Sequence, residues 1–436
     1  MIKKPVLYIL ILILLAGCSK RIVIPDQGKH KIRNVLQSTG LPTDHYMGFA
    51  LYDPAENKMI YELNSDKYFV PASNTKIFTL YTALNYLPGT LPCLEVAYSQ
   101  ERVTIRGTGH PGFLHPEFEA YQNVLAEIID TSKEVVLSDL HFKDERFGNG
   151  WAWNDYPYGY QSEKSALPVY GNRVWVTKAN GKLDFAPDWY ESFFTIHDDE
   201  DLPFFHRDES VNAFSFAKER LPERGTWEIP FVYSGYEVSK ILSEEFGKTV
   251  KPSYTENNQL FTPVYYLPLD TVYRKLMRHS DNFIAEQLLL ASAHRQLDYM
   301  ETDSIIRFAK SDLFAGAPDP LLWYDGSGLS RYNMFTPRTI VWVLNQLYRS
   351  QSTDILKSIF PAGGVSGTIR NWYPGETPYV YAKTGTLRNK HCLSGYIFTN
   401  NGKVLIFSFM HNNYPGGSNK IKEKMQVILE YIRDSF

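Results

Sequence analysis

The sequence predicts an α/β chain of the α+β kind, with strands and helices at both ends and a β-rich inserted region between them. Three observations predict this. Residues 47–53 and 58–63 are strand-like runs joined by Pro54-Ala55-Glu56-Asn57, a hairpin with turn chemistry at its centre. Apolar residues recur at helical spacing over 76–86 and again over 269–293. Between about 91 and 252 the character changes to short strand candidates separated by turn-rich stretches.

The chain has 436 residues, room for two or three domains, and a hydrophobic content of 44% that supports a buried core. Its net charge of -3 gives no reason to expect a nucleic-acid partner. Thirty tyrosines suit wet, concave sites for peptides or sugars, although most such rings simply pack strands. The start, Met1-Ile2-Lys3-Lys4 followed by an apolar run over 5–16, reads as residues 1–17 of a signal peptide and is too short to span a bilayer. Leu15-Ala16-Gly17-Cys18 resembles a bacterial lipobox. That resemblance implies cleavage before Cys18, acylation of Cys18, and a lipid anchor on the periplasmic side of a membrane, the outer membrane being the expected one. Export permits a disulfide, so Cys93 and Cys392 either pair or stay as buried thiols.

Residues 18–33 read as a polar tether and 35–41 as a short helix. After the hairpin, Pro71 stops the chain before Ser73-Asn74-Thr75-Lys76, and a helix runs to Tyr86, where Pro88-Gly89 ends it. In the middle region, 95–98, 103–106 and 173–176 are strand candidates and 118–129 is a helix candidate. Trp151, Trp153, Tyr156, Tyr158 and Tyr160 crowd one segment, and Asp198-Asp199-Glu200-Asp201 reads as a solvated loop. The helical pattern of 269–293 carries Ser280-Asp281-Asn282. Pro337 opens a helix to about 348. Strands over 380–384, 393–398 and 404–410 precede a closing helix over 419–432.

Ser73 and Lys76 lie three apart, so one helical turn puts them on the same face. A serine hydroxyl becomes a nucleophile when a base takes its proton, and a lysine is that base only if its pKa is pushed down. Alone, this pattern is more often an N-cap serine with an exposed lysine. Two later motifs change the weighing: Ser280-Asp281-Asn282, and Lys383-Thr384-Gly385 on a predicted strand. S-x-x-K, S-D-N and K-T-G in this order form the set of penicillin-interacting serine enzymes. In this reading Ser73 attacks a carbonyl, Lys76 takes its proton and Lys383 is the second cation that depresses Lys76. Ser280 relays a proton to the leaving amine, and Asn282 orients Lys76. Lys383 with Thr384 meets a terminal carboxylate, Gly385 lets substrate backbone approach, and the Thr386 N–H completes an oxyanion hole.

The chain resembles the D-alanyl-D-alanine carboxypeptidase/endopeptidase family, the class C low-molecular-mass penicillin-binding proteins. Beyond the three motifs, Asp325-Gly326-Ser327-Gly328-Leu329-Ser330-Arg331, Gly150-Trp151-Ala152-Trp153-Asn154-Asp155 and Ser280 through Glu286 carry the resemblance, as does the long interval from Ser73 to Ser280. It implies a transpeptidase/β-lactamase-like domain, an antiparallel sheet flanked by helices, over 34–95 and 255–436, with 96–254 inserted. It implies a serine DD-peptidase that acts on peptidoglycan stem peptides through an acyl-enzyme and binds β-lactams, with no cofactor. It also places Asp155, Tyr160 and Arg331 at a subsite for a zwitterionic stem side chain. Arg388 departs from the family's smaller, neutral residues and falls at the expected rim. A β-lactamase or esterase on the same fold and a non-catalytic wall-binding lipoprotein are the alternatives. The eleven histidines are scattered and no H-E-x-x-H occurs, so no metal site is expected.

Overall fold

In this computed structural model the described residues are 27–41, 45–118, 128, 133–198, 204–255 and 260–436. The expected signal peptide, Cys18, nearly all of the expected 118–129 helix and residues 199–201 of the acidic run lie outside them.

The first element corrects the expected tether. Helix α1 (Gln27–Ser38) begins inside it and ends before the expected 35–41 helix would. Ile32 and Leu36, four apart within a polar run, are buried in the core beneath the sheet. Strands β1 (Tyr46–Asp53) and β2 (Lys58–Leu63) form the expected hairpin. A 3-10 turn, Ala72–Thr75, then leads into α2 (Lys76–Tyr86).

The inserted region is β-rich. It contains β3 (Thr90–Tyr98), β4 (Arg102–Gly107), β5 (Glu134–Ser138), β6 (Arg173–Ala179), β7 (Lys182–Ala186) and β8 (Phe194–His197). It continues with β9 (Phe205–Arg207), β10 (Phe214–Ala217), β11 (Gly225–Pro230), α3 (Gly235–Phe246), β12 (Val250–Ser253) and β13 (Thr262–Pro268). These strands build a five-stranded sheet, β12-β5-β4-β3-β13, and two three-stranded sheets, β8-β10-β9 and β11-β6-β7. A separate apolar core from Cys93 to Leu267 fills the space between them. Residues 90–95 and 262–268 pair as β3 and β13 within that sheet, although the sequence reading counts 90–95 and 262–268 with the flanking domain.

The chain then turns helical with α4 (Leu269–Arg278), α5 (Asn282–Leu297), α6 (Thr302–Asp312), α7 (Pro337–Ser350) and α8 (Thr353–Ile359). It ends with β14 (Val380–Leu387), β15 (Lys390–Phe398), β16 (Val404–Asn412) and α9 (Asn419–Ser435). The last three strands join the first hairpin in one antiparallel sheet, β14-β15-β16-β1-β2. Side chains along a strand alternate between faces. In β16, Ile406 and Met410 face the core shared with α2, α4, α5 and α7, while Leu405, Phe407 and Phe409 face the core under α1 and α9. The sheet is therefore covered by helices on both faces, and β14 and β2 are its two edges.

The helical pattern of 269–293 does not form one helix. It breaks at Ser280, which has φ +60°, a left-handed conformation that a non-glycine residue holds only when its surroundings impose it. Asp281 restarts the chain by capping α5: its carboxylate accepts the Ile284 amide at 2.9 Å. Cys93 and Cys392 are both free, each buried in a different core.

Candidate active site

The site lies where the Ala72–Thr75 turn meets the edge strand β14 and the break between α4 and α5. Ala72, at φ +48°, carries the strain of the turn that presents Ser73. A Cβ on Gly385 would lie 2.3 Å from the Pro71 carbonyl oxygen and 3.0 Å from the Ser73 nitrogen. Glycine is thus required at 385 so that the serine turn can dock on the strand, a role the sequence reading does not assign to it. Asn74 secures the same junction, donating to the Lys383 carbonyl at 2.8 Å and accepting from Ser394 at 2.7 Å.

Lys76 is fully buried, with its ammonium nitrogen 3.0 Å from Ser73 Oγ, 2.6 Å from Asn282 Oδ1 and 2.6 Å from the Ser327 carbonyl. Asn282 in turn donates through Nδ2 to the Tyr160 carbonyl at 2.9 Å. Lys383, also fully buried, donates to Ser280 Oγ and to the Thr384 carbonyl, each at 2.8 Å. Thr384 Oγ1 donates to Thr368 Oγ1 at 2.7 Å. All five residues expected to carry the chemistry converge.

The edge of β14 is half occupied. The Ala382 N–H donates to the Pro361 carbonyl, away from β15. Backbone direction repeats every second residue, so the N–H groups of Thr384 and Thr386 point to the same edge, beside Ser73. Thr386 Oγ1 lies 3.0 Å from His391 Nδ1.

The sequence reading named neither Glu286 nor Asp325 as functional, although both stand in its quoted motifs. Glu286 is buried and accepts the Gly326 and Ser327 amides at 3.1 and 2.7 Å. Asp325, also buried, accepts the amides of Gly328 and Ser330, the Asn333 side chain and the Trp151 indole. Together they fold the loop whose Ser327 carbonyl holds Lys76. The missed signal was an acidic residue inside each motif.

Burial acts on both lysines. Burial pushes Lys76 down to about 8, against the opposing pull of Asp325, Glu286 and Asp281. Burial and then the charge of Lys76 push Lys383 well below the usual lysine range. Both lysines are thus shifted downward, and the carboxylates that oppose the shift act on Lys76. Burial and the neighbouring Asp325 raise Glu286 to about 7.

Asp155, Tyr160 and Arg331 also come together. The Tyr160 hydroxyl is pushed up to about 12 by burial and by the charge and hydrogen bond of Asp155, with Arg331 acting in the opposite sense. Tyr158 and Tyr160 stack with ring centroids 5.4 Å apart. The backbone of Arg331 donates to Gly150, joining this segment to the Asp325 loop. Arg388 stands exposed in the β14–β15 turn, roughly 16 Å along the strand from Lys383 at about 3.3 Å per residue. Among the described residues no group of three or more acidic, histidine or cysteine side chains is placed to hold a metal ion.

A serine backed by a buried lysine, at a helix start against the edge of an antiparallel sheet, defines a serine acyl-transfer enzyme. The chain belongs to the D-Ala-D-Ala carboxypeptidase 3 (S13) family, whose model matches residues 29–189 and 245–432. It is a hydrolase of the serine DD-peptidase type. It is 25% identical to D-alanyl-D-alanine carboxypeptidase DacB of Haemophilus influenzae, covering 91% of each chain. It is 32% identical to penicillin-sensitive carboxypeptidase A of Dictyostelium discoideum, over 87% of this chain and 85% of that one. The crystal structure of penicillin binding protein 4 from Haemophilus influenzae shares the fold, with a TM-score of 0.75 at 21% identity over 92% of this chain and 99% of the other.

Proposed function

We propose that Ser73 is the nucleophile and Lys76 its base in the cleavage of a terminal or cross-linking D-Ala bond of peptidoglycan stem peptides. The observation that carries this reading is the 3.0 Å contact between Lys76 Nζ and Ser73 Oγ, inside a cradle of two further acceptors. As Ser73 Oγ bonds to the scissile carbonyl carbon, its proton passes to Lys76. The Ser73 and Thr386 amides receive the developing oxyanion. The C–N bond then breaks, the leaving amine takes a proton through Ser280, and water hydrolyses the acyl-enzyme. Lys383 and Thr384 receive the substrate carboxylate, with the substrate lying as an added strand on the open edge of β14.

Asp155, Tyr160 and Arg331 are proposed to hold a zwitterionic stem side chain, and Arg388 to mark the rim. Residues up to 89 and from 269 onward act as the catalytic domain, and 90–268 as the insertion. The segment ending in Leu15-Ala16-Gly17-Cys18 supports anchoring of an exported lipoprotein at Cys18, on the periplasmic side of the outer membrane. Incubation with a penicillin followed by peptide mapping tests the nucleophile. The expected adduct is on Ser73, long-lived, and absent in Ser73→Ala. An adduct on Ser280 or Ser327, or release within seconds as in a β-lactamase, overturns the assignment.

A further inference from the structure

The surroundings of the two lysines differ in a way that the reaction can use. Three carboxylates stand behind the contacts of Lys76: Glu286 and Asp325 hold the loop whose Ser327 carbonyl meets it, and Asp281 adjoins Asn282. Behind these, Lys164 acts on Glu286, and Arg173, His115 and Lys275 act on Asp281. Among the described residues, the charged group acting on Lys383 is Lys76 itself. The polar contacts of Lys383 are a hydroxyl and a carbonyl, neither of which balances a charge. A buried cation without a counter-ion is strongly disfavoured, so the ligand-free site holds its proton on the lysine that has carboxylates near it.

That state is unproductive. Asn282 Oδ1 and the Ser327 carbonyl are obligate acceptors and take two N–H groups of Lys76. In the ammonium form the third N–H points at Ser73 Oγ, 3.0 Å away, and nothing remains to accept the serine proton. In the amine form the same two N–H groups stay bonded and the lone pair faces Ser73. The cradle suits both forms, and one proton separates a blocked site from an active one.

We propose that the free enzyme keeps this proton on Lys76, and that the carboxylate of an arriving substrate draws it to Lys383, leaving Lys76 as a free amine beside Ser73. One proton leaves Lys76 and one arrives on Lys383, so the count on the pair is unchanged. The substrate supplies the counter-ion that Lys383 lacks. Activation is thereby tied to the chemical feature that marks a correct substrate, a carboxylate one residue beyond the scissile bond, and Ser73 stays inert towards neutral acyl donors. This inference rests on the proposed roles of Ser73, Lys76 and Lys383.

The test compares benzylpenicillin with its methyl ester, which differ in that one charge. The acylation rate constant at saturating ligand is measured with the full chain from pH 5.5 to 10, with the adduct mapped in each case. A carboxylate next to a cation shifts titration by roughly 1–3 pH units, so the ascending limb for the free acid is expected that far below the limb for the ester. Limbs at the same pH, or a lower limb for the ester, overturn the inference while leaving Ser73 as nucleophile. Failure of both compounds to label Ser73 at any pH overturns the proposed function and this inference with it.

Discussion

At the scale of single residues the site is a set of buried charges held by short contacts. Lys76 and Lys383 were expected to converge, and they do. Their division of labour depends on Asp325, Glu286 and Asp281, which lie on the Lys76 side. The subsite around Tyr160 is a second case. Asp155 is already engaged with the Tyr160 hydroxyl, so a cationic substrate group has to share that carboxylate. Asp155→Ala is expected to slow turnover of stem peptides with a zwitterionic side chain by the equivalent of about 1.5–3 kcal/mol, the range for hydrogen bonds to charged groups. Acylation by a simple penicillin should change little. Comparing kcat/KM on such a peptide with the penicillin acylation constant checks this, and equal losses would make Asp155 a structural residue.

At the scale of elements, two junctions fix the geometry. One is the docking of the Ala72–Thr75 turn on β14, where Gly385 admits the Pro71 carbonyl. Gly385→Ala forces backbone against a methyl group, and overpacking of this kind costs about 1–3 kcal/mol. A lowered Tm and slowed acylation are expected together. Gly417→Ala, where an added Cβ meets nothing within 4 Å, is the silent control. An unchanged acylation rate in Gly385→Ala would show that the junction does not position Ser73. The other junction is the break between α4 and α5, held from the insertion by the Arg173–Asp281 ion pair at 3.5 Å. Strand β6 of the inserted region thus braces the motif that orients Lys76.

At the scale of the whole molecule, stability is expected to depend on pH through buried histidines. Burial pushes His110 down to about 4, and His115, His141 and His391 each to about 3. Each has a folded pKa below its unfolded value of roughly 6.5. Below that value the folded state therefore binds fewer protons than the unfolded chain, and stability drops by at most on the order of 1 kcal/mol per histidine per pH unit. Thermal melts should fall from pH 6.5 towards 4, and stability should rise with pH above about 8, where Lys76 and Lys383 are protonated in the unfolded chain more than in the folded one. A Tm that is level from pH 7.5 to 5 would contradict this. The proposed anchoring at Cys18 is tested at this scale as well. Cys18→Ser is expected to abolish fatty-acid labelling and release the protein from membranes, and a mutant that still labels would refute the lipobox reading.

The sequence by itself determined what local spacing determines. Ser73 and Lys76 are three apart on one turn, so local spacing puts them on the same face, although distant Asn282 and Ser327 hold Lys76 in the 3.0 Å contact. The first hairpin, the strand under Lys383 and the closing helix follow from alternation, turn residues and apolar period in the same way. Tertiary structure decided whatever needed a distant partner. The polar run at 27–38 became α1 because Ile32 and Leu36 found a core. The continuous apolar pattern of 269–293 broke at Ser280, a position gripped by Lys383 from the far end of the chain. Glu286 and Asp325 meet across one loop although they belong to separate motifs, and their charges act on Lys76. Contacts within a turn are set by bond lengths and dihedrals. A charge state is set by burial and by every neighbouring charge, and those neighbours are brought together by the fold alone.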